Sequence, residues 1–225
     1  MDREPELLVS ELFYSIQGES TFAGLPCVFI RLAGCNLRCS YCDAAYSYQE
    51  PATAMAVDSI LQFVDRHPDA LVELTGGEPL LQSGSRQLMD RLLSVNRTVL
   101  LETNGSQPIA AVPAAVRVII DVKCPGSGMM QSWLHDNLEA IRLRAAKAPA
   151  STEVKFVISD MDDYLYARDF LRQHDLASYA PVLFSPVRGR VSPSDLASAI
   201  LEDHLPVRLQ LQLHTIIWPD KVRGV

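Results

Sequence analysis

Residues 34–43 constrain this chain more than any other stretch, because they place three cysteines within eight residues. Cys35, Cys39 and Cys42 are separated by three and then by two residues, so a single loop can aim all three thiols at one point. Thiolates are soft ligands that select zinc, cuprous copper or iron–sulfur clusters. Three of them leave a tetrahedral site one ligand short, and residues 43–51 hold no cysteine or histidine to complete it. The spacing therefore predicts a metal centre with one open position.

On the cysteine spacing alone, a zinc knuckle and a redox-sensitive loop remain alternatives to an iron–sulfur cluster. The pattern Cys-x3-Cys-x2-Cys, with Tyr41 just before the last cysteine, resembles the radical S-adenosylmethionine (SAM) superfamily. The resemblance implies a [4Fe-4S] cluster on three cysteines, whose fourth iron binds the amino and carboxylate groups of SAM. It also implies that an electron from the cluster cleaves SAM to give a 5′-deoxyadenosyl radical.

The composition is that of an ordinary globular protein. The 225 residues suffice for one substantial core, and without a linker or repeat a single domain over residues 1–225 is expected. The residues are 48% hydrophobic and 21% charged, and a disordered chain would be poorer in apolar residues. The formal net charge of −7 argues against a nucleic-acid-binding surface, which would need a basic stripe.

No apolar run reaches the roughly 18 residues that suggest a membrane span, so no membrane partner is expected. The first five residues are too acidic for a signal peptide, which predicts a cytoplasmic protein. Thiols stay reduced there, so the cysteines are not a disulfide framework. Cys27 and Cys124, the two cysteines outside the loop, are expected to be buried or half-buried small residues without a ligand role.

Strand-like and helical patterns alternate along the chain, which predicts parallel strands joined by right-handed crossovers. The predicted strands are residues 7–14, 27–32, 71–75, 98–101, 116–122, 153–158, 182–184 and 207–213. The predicted helices are residues 56–66, 85–95, 131–147, 160–173 and 193–203. The chain is too short for a full eightfold barrel of about 250 residues. The predicted fold is therefore α/β, a partial (β/α)6 open barrel of mostly parallel strands, which is also the radical SAM fold.

Polar and glycine-rich motifs follow these strands, at the end where parallel barrels place their sites. Gly76 and Gly77 permit close backbone approach to a ligand, and Glu78 can accept hydrogen bonds from an ammonium group. With Pro79, this stretch resembles the GGEP motif of radical SAM enzymes, which binds the SAM amino group. The residues predicted to contact SAM are Tyr41, Asp43, Gly76, Gly77, Glu78, Asn104, Asp121, Lys123 and Ser185.

Three further stretches, residues 15–20, 29–37 and 211–218, resemble the 7-carboxy-7-deazaguanine synthase family. The resemblance implies ring contraction of 6-carboxy-5,6,7,8-tetrahydropterin with loss of ammonia, on the route to queuosine and related deazapurines. Arg31 offers the bidentate fork that suits the substrate carboxylate, and Glu19 could accept from the guanidine-like nitrogens of the pterin. The residues that the resemblance places against substrate are Ile16, Gln17, Gly18, Glu19, Arg31, Thr75 and His214.

The resemblance also implies magnesium, a homodimer and an external flavodoxin-like or ferredoxin-like electron donor. The family often has Cys-Asp-Thr where this chain reads Cys42-Asp43-Ala44. Ala44 lacks the hydroxyl that contacts the ion, so the sequence puts magnesium ligation in question, with Asp43 or water as the substitute.

Two rival functions remain. A glycyl-radical enzyme activase shares the cysteine spacing and GGEP, but its pocket would have to admit a peptide loop, whereas Glu19 and Arg31 favour a small polar heterocycle. A zinc-stabilised regulatory protein without catalysis is the second rival. Colour distinguishes this zinc protein from a cluster protein, because a cluster protein purified without oxygen is brown and a zinc protein is colourless.

Overall fold

A computed structural model describes residues 6–225, which form one nine-stranded sheet flanked by helices. The strands are β1 Glu6–Ile16, β2 Pro26–Leu32, β3 Thr53–Ala56, β4 Leu71–Gly76, β5 Val99–Thr103, β6 Arg117–Asp121, β7 Thr152–Ile158, β8 Val182–Pro186 and β9 Arg208–Leu209. The helices are α1 Tyr46–Gln49, α2 Val57–Val64, α3 Gly84–Ser94, α4 Asp136–Lys147, α5 Met161–His174, α6 Pro193–Glu202 and α7 Leu213–Ile217.

The sheet order is β3-β1-β2-β4-β5-β6-β7-β8-β9, and every neighbouring pair from β2 to β9 is parallel. At one edge β1 runs antiparallel to β2, and β3 runs antiparallel to β1. Strands β3 and β9 end the order and do not pair with each other, so the barrel is open. The predicted partial barrel of mostly parallel strands is confirmed.

Side chains alternate across the parallel strands, as the two-residue period of a strand requires. The outward positions, such as Ile30, Leu74 and Phe156, are fully buried against the helices and form the main core. The inward positions begin with a small apolar cluster that contains Phe29 and Ile119. Charged side chains follow further along the same strands and face the barrel interior.

Several of the predicted elements differ from those of the structure. Residues 53–56, which were not predicted as a strand, form β3 because they pair with the first residues of β1. The helix predicted from residue 131 begins at Asp136, since the Leu134 amide donates to the Gly105 carbonyl outside any helix. No α-helix connects β5 with β6 among the described residues, although the two strands are parallel.

The last predicted strand, residues 207–213, is shortened to Arg208–Leu209. Just beyond it, the Gln210 side chain accepts from the Ser20 amide and donates to the Ser20 carbonyl. The chain then turns into α7, and the Leu213 amide donates to the Gly18 carbonyl over 3.0 Å. His214 directly follows the predicted strand, but in the structure it lies on this short helix.

None of the helices within residues 6–225 is long and apolar enough to cross a membrane. The inference drawn from the first five residues falls outside the described part of the chain. Cys27 and Cys124 are both fully buried, which confirms their predicted environment.

Arg144 of α4 provides a test of the packing between this helix and the sheet. Its buried guanidinium donates to the Val112 and Val116 carbonyls and to the Thr152 hydroxyl. Replacing Arg144 by Leu leaves these acceptors unpaired, and we expect the free energy of unfolding in urea to fall by about 3 kcal/mol. The matched variant Arg142→Leu removes a half-exposed arginine from the same helix and should change it by less than about 0.5 kcal/mol. Equal losses in both variants would contradict this account of the packing.

Candidate active site

A cavity of about 440 Å³ opens at the carboxyl ends of the parallel strands. All of the residues predicted to bind metal, SAM or substrate line it, except Glu78 and Ser185. Loops from both ends of the chain form its wall, including residues 16–20 and the segment from Gln212 to Val225. The cavity is therefore large enough for a small molecule, and it brings together residues that lie far apart in the sequence.

The cysteine loop rests on the end of β4. The Gly77 amide donates to the Leu32 carbonyl and the Glu78 amide donates to the Gly34 carbonyl, over 3.1 and 2.9 Å. A Cβ atom on Gly77 would lie 2.2 Å from the Gly34 oxygen and 2.6 Å from Cys35 Cβ. Only glycine permits this approach, so the Gly-Gly pair holds the backbone of the cysteine loop at the cavity wall.

The three loop thiols suit an iron–sulfur cluster better than a single ion. Within residues 6–225, no group of three His, Cys, Asp or Glu side chains is arranged to hold one metal ion. A structural zinc site would need four ligands converging at about 2.0–2.3 Å. In a [4Fe-4S] cluster each cysteine binds a different iron, so the thiols surround the cluster and do not converge on one atom. Cys35, Cys39 and Cys42 all face the cavity at partly or fully exposed positions, which fits such a group.

Glu78 does not face the cavity, contrary to the prediction that its carboxylate meets an ammonium group. The side chain is fully buried and accepts from the Leu80 amide, the Thr103 hydroxyl and the Asn104 amide. Because Leu80, Thr103 and Asn104 occupy its acceptor positions, the carboxylate fixes the turn after β4. The groups of the GGEP stretch that remain at the cavity are the Gly76 and Gly77 backbones.

On the cluster side of the cavity, the predicted SAM contacts form a polar wall. The side-chain nitrogen Nδ2 of Asn104 lies 3.7 Å from Cys35 Sγ and 3.2 Å from the Asn36 side-chain oxygen. Lys123 donates to Asp121 Oδ2 over 2.7 Å, while Asp121 Oδ1 is buried and has no hydrogen-bond partner. The Tyr41 hydroxyl donates to the Val157 carbonyl over 3.2 Å.

Ser185 is the other predicted residue that the structure leaves off the cavity wall. It lies on β8 with its side chain fully buried, and its hydroxyl has no hydrogen-bond partner. Its strand neighbour Val157 does line the cavity. The residues of this strand end that reach the cavity are Val187 and Arg188.

The predicted substrate residues near the N-terminus meet the C-terminal helix. A Cβ atom on Gly18 would lie 2.9 Å from His214 Nδ1, so glycine permits the contact between the two segments. Glu19 accepts from Gln212 Nε2 over 2.9 Å and forms an ion pair with Lys155, also at 2.9 Å. The two ends of the chain therefore form one side of the cavity together.

Arg31 points into the cavity from β2 with little solvent exposure. Its Nε atom lies 3.5 Å from Glu11 Oε2, but this contact does not meet hydrogen-bond geometry and Nε remains unpaired. Burial acts to lower the pKa of Arg31, yet the neighbouring Tyr46, Asp43 and Glu11 outweigh it and raise the pKa. The guanidinium is thus held as a cation with donor capacity left for an anionic ligand.

Below Arg31 lies a charged layer that the sequence analysis missed, made of Glu73, Glu102 and Lys155. Lys155 forms ion pairs with Glu19 and Glu102 and lies 4.0 Å from Asp121. Burial acts to lower the Lys155 pKa, but these carboxylates outweigh it and raise the pKa well above its ordinary value. Burial acts to raise the Glu102 pKa, but the neighbouring Lys155 charge outweighs burial and lowers this pKa to about 2.

The sequence does carry a signal for this layer. Glu73 lies between Val72 and Leu74, and Lys155 lies between Val154 and Phe156. Because the apolar neighbours face the helices, the two-residue period directs the charged side chain into the barrel. A lone charge at such a position predicts a pocket residue.

The open barrel and the three-cysteine loop define a radical SAM protein. Residues 29–126 match the family model of the radical SAM superfamily, which implies a [4Fe-4S] cluster and SAM as cofactors. The crystal structure of QueE from Escherichia coli shares the fold, with a TM-score of 0.74 over 92% of this chain and 94% of that one, at 20% identity.

Two curated relatives narrow the family. The 7-carboxy-7-deazaguanine synthase of Chlorobaculum tepidum is 46% identical and is matched over 100% of both chains. That of Koribacter versatilis is 44% identical over 96% of this chain and 99% of its own length. The chain belongs to the 7-carboxy-7-deazaguanine synthase family.

The close contact between Gly77 and the cysteine loop can be tested by one methyl group. In Gly77→Ala, the new Cβ displaces the Gly34–Cys35 backbone, so we expect a large loss of bound iron after anaerobic reconstitution. Gly128→Ala serves as the control, because a Cβ there meets no atom within 4 Å, although its positive φ costs about 1 kcal/mol. We expect near wild-type iron content in the control. Full iron content in Gly77→Ala would show that the contact does not support the loop.

Proposed function

We propose that this protein converts 6-carboxy-5,6,7,8-tetrahydropterin to 7-carboxy-7-deazaguanine with loss of ammonia, in queuosine or related deazapurine biosynthesis. Its close relatives bear the name of this synthase. The observation that carries the proposal is the shared cavity, which is lined by the three thiols and by the half-buried, incompletely paired Arg31. A cation at this position suits a small substrate with a carboxylate group.

In this proposal Cys35, Cys39 and Cys42 hold the [4Fe-4S] cluster beside SAM. When bound, the two cofactors would supply the electron and the 5′-deoxyadenosyl group for radical chemistry on the substrate. The Gly76 and Gly77 backbones receive the SAM amino group, and Glu78 positions them from behind. The other proposed SAM contacts are Tyr41, Asp43, Asn104, Asp121 and Lys123, with Ser185 supporting the wall from beneath.

The substrate is proposed to stand between the two ends of the chain. Arg31 binds its carboxylate, and Thr75 lies beside it at the paired position of β4. Ile16, Gln17, Gly18 and Glu19 lie against the pterin ring, and His214 faces them from α7. The fixed donors and acceptors of these loops orient the ring relative to the cluster side of the cavity.

Magnesium is proposed as a weakly held third cofactor. Ala44 lines the cavity but is largely buried and offers no side-chain oxygen. Asp43 beside it is exposed at the cavity wall and provides a carboxylate, either directly or through water. Magnesium commonly keeps several of its ligands as water and substrate, so one missing hydroxyl need not remove the site.

The remaining parts of the proposal concern partners. We propose that an external flavodoxin-like or ferredoxin-like protein supplies electrons, since Ser40 and Cys42 of the cysteine loop are exposed. The family resemblance supports a homodimer and a cytoplasmic location. The same resemblance supports one catalytic domain over the whole chain.

Product analysis tests the proposed reaction. Anaerobic, cluster-loaded protein is incubated with SAM, a reductant and the tetrahydropterin, and the products are identified by mass. We expect 7-carboxy-7-deazaguanine and ammonia, with none formed when SAM is omitted. SAM cleavage without any deazaguanine product would overturn the proposed substrate and favour the activase alternative.

Arg31→Lys tests the proposed carboxylate contact. Lysine keeps the charge and loses the planar fork, so we expect the substrate KM to rise by about tenfold or more. Uncoupled SAM cleavage, measured as 5′-deoxyadenosine formed without substrate, should continue at a rate near that of the wild type. An unchanged substrate KM would reject the contact.

Ala44→Thr tests the magnesium proposal. The wild type should show a shallow dependence of turnover on magnesium, because Ala44 supplies no hydroxyl. The variant restores the hydroxyl, so half-maximal activation should occur at a lower magnesium concentration. A steep, saturable requirement in the wild type that Ala44→Thr leaves unaltered would show that the missing hydroxyl does not matter.

A further inference from the structure

Within residues 6–225, Glu73 is the acidic residue of the charged layer that forms no ion pair. It points inward from β4 and lines the cavity floor, although its side chain is almost completely buried. Of its acidic neighbours, Glu19 and Glu102 both form ion pairs with Lys155. Within residues 6–225, the only hydrogen-bond partner of the Glu73 carboxyl is the Gln17 side chain.

The orientation of that partner decides which Glu73 oxygen is available to a ligand. Gln17 Oε1 accepts from the Glu19 amide over 2.9 Å, so its Nε2 group must be the one that faces Glu73. Gln17 Nε2 therefore donates to Glu73 Oε2. The other carboxyl oxygen, Oε1, has no protein partner in the described chain and is free to contact a ligand in the cavity.

The surroundings of Glu73 favour its neutral form. Burial raises the pKa of the carboxyl well above its ordinary value, and the Glu102 and Glu19 charges raise it further. Lys155 and Arg31 act in the opposite direction without reversing the shift. Since Oε2 already accepts a hydrogen bond, the proton belongs on Oε1, where it makes this atom a donor toward the cavity.

The spacing between Arg31 and Glu73 along the barrel matches the length of the proposed substrate. Arg31 pairs with Thr75 across β2 and β4, and Glu73 is two residues earlier on the same face. Two strand residues span about 6.6 Å, roughly the distance from the carboxylate of a 6-carboxypterin to its pyrimidine edge. A ligand held by Arg31 thus presents that edge, with its 4-oxo oxygen and ring nitrogens, to the floor.

We propose that Glu73 is a specificity-determining residue that, as a neutral carboxylic acid, donates a hydrogen bond from Oε1 to an acceptor on the pyrimidine edge of the substrate. The inference deepens the proposed function and rests on it. The floor of the cavity then binds the edge of a heterocycle that carries a hydrogen-bond acceptor. Gln17 positions the Glu73 carboxyl that donates to this acceptor.

The test is the affinity of 6-carboxypterin, measured by anaerobic titration calorimetry on cluster-loaded protein with SAM and without reductant. Glu73→Gln presents an amide with the same donor and acceptor pair as a neutral acid, so its Kd should stay within about threefold of the wild type. Glu73→Leu fills the same space without a donor, and its Kd should rise by about tenfold, or about 1.4 kcal/mol.

Glu153→Gln is the matched control. Glu153 is an equally buried inward glutamate, on β7, but it binds Thr21 and does not line the cavity. Its replacement should leave the 6-carboxypterin Kd unchanged. Iron content and thermal midpoint report whether each variant is folded and loaded.

The pH dependence separates a neutral donor from a charged acceptor. The pKa of Glu73 is raised, so the donor is present at lower pH and is lost as pH rises through that pKa. Wild-type affinity should weaken toward alkaline pH, and Glu73→Gln should show no such decline. The other ionisable groups around the carboxyl are Cys27, Arg31, Glu19, Glu102 and Lys155. A decline that the wild type and Glu73→Gln share belongs to these groups or to the ligand, whereas the additional decline of the wild type reports the ionisation of Glu73.

Two results would overturn this inference while leaving the proposed function intact. One is a Glu73→Leu variant that binds 6-carboxypterin as tightly as the wild type. The other is a Glu73→Gln variant that binds as weakly as Glu73→Leu, which would mean that the carboxylate acts in its charged form. Failure of the wild type to bind the pterin at all would overturn the proposed function together with the inference.

Discussion

The active-site end of this molecule depends on the contact between two backbones, the end of β4 and the start of the cysteine loop. At Gly76 a Cβ atom would lie 2.2 Å from the Leu32 oxygen, and φ is +146°, a conformation that favours glycine. Gly77 approaches Gly34 equally closely. Glu78, buried against β5, anchors this turn to the next strand. The three thiols are therefore carried by an exposed loop whose base is rigidly attached to the sheet.

The second constraint is the division of the sheet into an apolar outer face and a polar inner face. The outer face supplies the main core with the helices, while only a few inward residues near Phe29 are apolar. Buried ions are costly unless paired, and here Lys155 and its carboxylate partners satisfy that requirement. Arg31 and Asp121 each retain an unpaired atom. Both residues line the cavity, so a bound ligand can complete their hydrogen bonding.

Much of this architecture could be predicted from the sequence, for identifiable reasons. The long apolar strands and the glycine turns carry strong local patterns, and the cysteine spacing is itself a local geometry. The short strand β3 and the docking of α7 on Gly18 depend on long-range pairing, which no local pattern reveals. The buried role of Glu78 escaped prediction because its partners Thr103 and Asn104 lie at the end of another strand.

Iron and sulfide content after anaerobic reconstitution tests most directly our proposal that one loop carries the cluster. Alanine variants of Cys35, Cys39 and Cys42 should each lose the cluster and the brown colour. Cys27→Ala and Cys124→Ala should retain both, because these thiols are buried in the core away from the cavity wall. Full iron content in a loop variant, or colourless protein from Cys124→Ala, would contradict the account.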